Sequence, residues 1–171
     1  IPPIKLKIMF EANVYQKRRE SLRKKVGGGI LLFPGNSESS MNYPANTYHY
    51  RQDSNFLYFF GLDSPGLAGI CDIDNSTDTI YGDDFGIDDI IWMGEAPTVR
   101  QFADAIGVEN AEKASDLNNY FAHAKDKGRK IHFLPTYRAQ TQIEMSYLLK
   151  MTIGEVKNQA SEELIKAVVS I

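Results

Sequence analysis

A chain of 171 residues with a formal net charge of −3 and 43% hydrophobic residues has the size of one domain and enough apolar material for a real core. No basic surplus exists to neutralise a phosphate backbone, so nucleic acid is excluded as a general partner, and no apolar run approaches the ~20 residues that span a bilayer, so a membrane is excluded too. Cys71 is the only cysteine, which rules out an intramolecular disulfide and predicts a reducing, cytoplasmic setting.

Residues 1–9 read as an extension ahead of the fold. They are no signal peptide, because Pro2, Pro3, Lys5 and Lys7 interrupt the apolar residues. Phe10 to Val26 predicts an amphipathic helix, with Phe10, Val14, Leu22 and Val26 on one face. Lys17, Arg18, Arg19, Arg23, Lys24 and Lys25 are assigned to its solvated face. Gly27 ends it. Ile30-Leu31-Leu32-Phe33 is a short apolar run stopped by Pro34 and predicts a strand buried on both sides. The polar stretch Gly35–Thr47 is a long loop of the kind that tends to carry function.

Ser54 is assigned as the cap of a short helical turn through Phe60, closed by Gly61. Leu67–Ile73 and Asp78–Tyr81 predict a hairpin turning at Asp74–Thr77. Asp83–Asp89 reads as an acidic loop, followed by the apolar patch Ile90-Ile91-Trp92. Helices are predicted over Pro97–Ile106, Asp116–Lys127, Arg138–Lys150 and Ser161–Ile171, with a strand at Lys130–Leu134. Helices alternating with strands around a hairpin predict a mixed sheet with helices on both faces. The last residues, Val168 to Ile171, run on in an apolar helical pattern with no cap, so residues 155–171 are read as a linker helix leading onward.

The chain offers little catalytic chemistry. His49, His123 and His132 have no zinc-ligand spacing, and His123 and His132 read as surface or core-edge histidines. Asp72, Asp74, Ser76 and Asp78 alternate as in a calcium loop, but Thr77 stands where that loop requires Gly, so a polar hairpin turn is the better reading. The glycines 27–29 follow a helix and precede a strand, the reverse of a phosphate loop. Ser37, Ser39 and Ser40 lack a nucleophile elbow. Asp83, Asp84, Asp88 and Asp89 form one acidic loop, not carboxylates converging from several rigid elements. No catalytic residue and no metal ligand is assigned.

One segment differs from the rest. Tyr48 to Gly61 interleaves six aromatic residues with Arg51, Gln52, Asp53 and Asn55. Read on its own, it is an aromatic core flank with a mutually satisfied Arg51–Asp53 pair. It also resembles the N-terminal domain of the Xaa-Pro aminopeptidase (aminopeptidase P), prolidase and creatinase family. The resemblance rests on Tyr50-Arg51-Gln52-Asp53-Ser54-Asn55-Phe56 continuing to Phe60-Gly61, and on Ile91-Trp92-Met93-Gly94 downstream. It extends over nearly the whole chain from Met9.

That resemblance implies a single α/β domain of three-layer α/β/α, ribonuclease-H-like architecture with a mixed sheet. It implies a separate C-terminal pita-bread catalytic domain holding two manganese ions, where metal-bound hydroxide attacks the scissile carbonyl, and no cofactor in this chain. The parent enzyme would remove the first residue of peptides with proline second. This domain would restrict access to the metal site and support a dimer or tetramer. Trp92 would form an apolar wall near the pocket for the first residue of the substrate; its alternative is ordinary core packing. Tyr50, Arg51, Asp53 and Asn46 are the other residues assigned to a substrate entrance or oligomer interface. Where relatives carry an Asp six residues before the motif Arg, this chain has Ala45; either the neighbouring Asn46 takes over by hydrogen bonding or that contact is missing. Two alternatives remain open: a prolidase N-terminal domain, and a peptide- or histone-binding module of a catalytically dead relative. A nuclease of the same fold is a weaker third.

Overall fold

The structure is a computed structural model and describes residue 6 and residues 8–171. The expected extension over residues 1–9 therefore lies largely outside the described residues. Among the described residues, five strands form one sheet in the order β4-β3-β2-β1-β5: β1 Ile30–Pro34, β2 Ala68–Asp72, β3 Thr77–Gly82, β4 Asn110–Lys113 and β5 Ile131–Phe133. β1, β2 and β3 form an antiparallel meander, while β4 adds to β3 and β5 adds to β1 in parallel. Only β2 runs against the others.

Alternation along the strands divides the core into two layers. Leu31, Phe33, Cys71 and Ile80 enter one, and Ile30, Leu32, Ile70, Tyr81 and Phe133 enter the other. The first layer is closed by α1 (Ala12–Val26), α2 (Ser54–Phe60), α4 (Val99–Ala105) and α8 (Glu162–Val169). The second is closed by α5 (Asp116–Asp126), α6 (Ala139–Leu149) and α7 (Ile153–Asn158). This is the three-layer α/β/α mixed sheet expected from the sequence. The two edge strands are short, which limits open pairing edges.

Helix α3 (Ile87–Met93) lies apart from both layers and buries no residue. It replaces most of the expected acidic loop and apolar patch. The carboxylates around it serve the backbone: Asp89 Oδ2 accepts from Gly86 N–H (2.9 Å), Asp84 Oδ1 from Val99 N–H (2.7 Å) and Asp83 Oδ1 from Ala114 N–H (3.2 Å). Helix α7 and strand β4 were not anticipated. Both are too short, at 6 and 4 residues, for a hydrophobic period to stand out. The expected linker helix over 155–171 is instead parts of two helices, and α8 places Leu164 and Ala167 in the core.

The basic face assigned to α1 needs correction. Arg19 is 0% exposed, and Arg23 is mostly covered. Arg19 Nε donates to Asp78 Oδ2 (2.7 Å), and its other nitrogens donate to the carbonyls of Phe59, Ile106 and Gly107, each at 3.0 Å. Arg23 pairs with the other Asp78 oxygen. Helical spacing puts these arginines where polarity alone would send them to solvent; Asp78 and three orphan carbonyls make the inward position favourable.

Candidate functional site

β1 and β5 lie side by side and run in parallel, with Leu32 opposite Phe133. After β1 the chain leads to α2 on the α1 face of the sheet. After β5 it leads to α6 on the other face. Outgoing connections that part to opposite faces open a crevice at the carboxyl ends of the strands, the usual ligand position in open α/β sheets. Here that crevice encloses about 530 Å³. Its floor includes Leu32, Phe33 and Leu134, and its walls come from residues 36–55 and 134–141.

Gln52 builds the first wall. It is almost fully buried, and its side chain makes four hydrogen bonds. Nε2 donates to the carbonyls of Ser64 (2.8 Å) and Leu62 (3.3 Å). Oε1 accepts from Asn36 N–H (2.7 Å) and Asp53 N–H (2.9 Å). Asn36 in turn donates from Nδ2 to the carbonyl of Arg51 (2.8 Å). An amide matches this mixture of donors and acceptors, and a charged side chain would not.

Asp53, not Ser54, caps α2. Its Oδ1 accepts from the N–H groups of Asn55 and Phe56, both at 2.9 Å. The expected Arg51–Asp53 pair is not formed: the carboxylate is turned to the N–H groups that open α2, and the Arg51 side chain is exposed. Gly61 closes α2 in the left-handed conformation at φ 69°, where an added Cβ would run into the Tyr15 ring.

Of the residues singled out from sequence, Tyr50, Arg51 and Asp53 meet in the crevice, together with His49. Tyr50 is half-buried and its hydroxyl donates to the Asn36 carbonyl (3.3 Å); burial pushes its phenol pKa up. Asn46 stays outside the crevice. Its Nδ2 donates to Asn42 Oδ1 (2.9 Å), which closes a turn within the loop. Trp92 sits on α3, 86% exposed, beside exposed Ile87, Ile91 and Met93. Its alternative as a core residue is overturned, since nothing of α3 packs into either layer.

Sequence reasoning missed three contributors. Arg138 enters from the β5–α6 connection and donates to Ser39 Oγ. Thr136 Oγ1 is enclosed with no hydrogen-bond partner among the described residues. Gln52 was visible only as part of the motif. The first two are brought to β1 by strand pairing across about 100 residues of chain, which no local pattern reveals.

The opposite end of the sheet is closed by charge. Arg129 donates to Asp72 and Asp74 from just before β5. Burial opposes ionisation of Asp72, but hydrogen bonds from Arg129, Asn75 and Tyr120 outweigh it and hold its pKa at about 2. His132 is also buried, which corrects its reading as a core-edge residue. Its Nδ1 lies 2.7 Å from Ser161 Oγ and its Nε2 3.1 Å from the Gly28 carbonyl. Burial, then nearby Lys130, lowers its pKa. A neutral imidazole with hydrogen on Nε2 satisfies both contacts and leaves Ser161 Oγ free to accept from Leu164 N–H (3.3 Å) at the start of α8. His123 is exposed. No group of three or more His, Cys, Asp or Glu among the described residues is placed to hold a metal ion.

Fold and site together define a three-layer α/β/α domain with a ligand-sized crevice at its strand ends. The family model described as the aminopeptidase P N-terminal domain matches residues 15–132, and the chain belongs to that family. It is 24% identical over 113 residues to an Xaa-Pro dipeptidase from Homo sapiens, covering 64% of this chain and 23% of that protein. It is 22% identical over 147 residues to a protein named probable Xaa-Pro aminopeptidase from Talaromyces stipitatus, covering 84% of this chain and 29% of that one. Among solved structures, Pseudomonas aeruginosa aminopeptidase PepP superposes with a TM-score of 0.70 at 16% identity, over 90% of this chain and 35% of that chain. The chain thus spans about a quarter to a third of the length of each.

Proposed function

We propose that this chain is the non-catalytic N-terminal domain of an Xaa-Pro aminopeptidase. The family match over residues 15–132 carries this reading. The parent protein removes the first residue from peptides with proline second, using two manganese ions in a C-terminal catalytic domain. The described residues here supply no ligand set for a metal, so no chemical step is assigned to them. Their role is to shape and restrict the approach to the catalytic domain and to support a dimer or tetramer in the cytoplasm. Exposed α3 favours this. An 86% exposed tryptophan beside exposed Ile87, Ile91 and Met93 is costly in water and gains by being covered.

The similarity to an Xaa-Pro dipeptidase supports a second reading, in which the parent is a prolidase. Assays of the full-length protein on Xaa-Pro dipeptides against longer Xaa-Pro peptides separate the two. Preference for longer peptides with manganese is the expected result, and the purified 171-residue chain alone should turn over neither. Turnover by that chain alone overturns the non-catalytic role. Sedimentation of the full-length protein as a monomer overturns the role in assembly. Trp92→Ala in the full-length enzyme is expected to reduce kcat/KM while leaving the melting temperature unchanged; parallel losses of both point to a structural role for this indole instead.

A further inference from the structure

We infer that the crevice between β1 and β5 is a binding site of the domain itself, for a small ligand with one carboxylate beside a flat apolar group. The inference does not depend on any peptidase activity of the parent, and its failure would leave that proposal standing.

Two features of the crevice point to this class. The first is charge. Arg51 and Arg138 line it, and neither has an ion-pair partner among the described residues. The one carboxylate in the lining is Asp53, so two guanidinium groups face a single acid there. Asp53 already accepts the free N–H groups at the start of α2, which removes the helix terminus that a phosphate would use. A singly charged planar anion therefore fits better than a multiply charged tetrahedral one, and guanidinium groups match a carboxylate edge-on.

The second feature is apolar surface. Tyr48, Tyr50 and Tyr137 stand around a floor of Leu32, Phe33 and Leu134. Phenol rings offer rigid flat faces with polar rims, which accept a planar group while keeping its polar end at the mouth.

The test uses the 171-residue chain and hippurate, an N-acylated carboxylate with a phenyl ring, followed by calorimetry and amide chemical-shift mapping. Hippurate should bind with a Kd on the order of 1 mM or tighter, shifting amides in residues 48–55 and 134–138. Its neutral amide, of the same shape, should bind at least about tenfold more weakly. Arg51→Gln and Arg138→Gln should each weaken hippurate by about tenfold or more, whereas Lys24→Gln, an exposed position on α1, should not. The Arg51 side chain makes no hydrogen bond within the described residues, so its loss leaves the fold intact, and unchanged melting confirms this for each variant. Equal binding of the amide, equal competition by inorganic phosphate, equal weakening by Lys24→Gln, shifts mapping elsewhere, or no binding at all would each overturn the assignment.

Discussion

Arginines at the two ends of this sheet live in opposite circumstances. Where β1 and β5 begin, Arg19, Arg23 and Arg129 are locked against Asp78, Asp72 and Asp74. Where the same strands finish, Arg51 and Arg138 have no carboxylate partner among the described residues. The first end is mostly covered, paired and structural. The second is open, and the one acid in the crevice lining, Asp53, is committed to capping a helix. The same side chain thus serves the fold at one end and remains free for a ligand at the other. What separates the roles is the supply of counter-charge and orphan carbonyls, not the residue type.

Removing the counter-charge at the closed end breaks the comparison most sharply. Asp78→Ala leaves Arg19 buried with no anion and should cost about 3–5 kcal/mol; urea unfolding that shifts by less than about 1 kcal/mol would mean that the three carbonyls alone satisfy Arg19. Asp72→Asn should cost less, about 1–3 kcal/mol, because Arg129 keeps Asp74 and some access to solvent. Asp72 also makes a pH prediction. Its folded pKa of about 2 lies below the ordinary carboxylate value. Its stabilisation is therefore complete above ~4 and is lost as pH falls from there through 2. The wild-type chain should lose more stability across that window than Asp72→Asn does. Identical acid titrations would remove the Arg129 pair from the account.

At the open end the effects are smaller. Asp53→Ala deletes the α2 cap and should cost about 1 kcal/mol, read as a lowered melting temperature; Ser54→Ala should cost much less, and the reverse order would restore Ser54 as the cap. Smallest of all is Arg51→Gln, which should change stability by no more than about 0.5 kcal/mol. A larger loss would place Arg51 in the structural set and erase the contrast between the two ends.

Much of the architecture was legible along the chain. The double-sided burial of Ile30–Phe33, the hairpin and the long helices follow from apolar period and from Gly and Pro punctuation, which are local properties. Three short elements were not: β4 and α7 carry almost no apolar pattern and were passed over, and Ile87–Met93 read as loop and patch. The cap of α2 was misplaced by one residue because Asp53 and Ser54 are both good caps and only backbone direction at position 53 chooses between them.

The candidate site was half visible. Tyr50, Arg51 and Asp53 stood out as one contiguous motif, whereas Arg138 and Thr136 reach them only through the parallel pairing of β1 with β5. By itself, the amino-acid sequence determined the fold class and the family, because periodicity and a contiguous motif are written in neighbouring residues. Tertiary structure alone decided which arginines are buried and which are free. That choice depends on where Asp72, Asp74 and Asp78 lie in space, and charges distant in the chain find one another only after the sheet has formed.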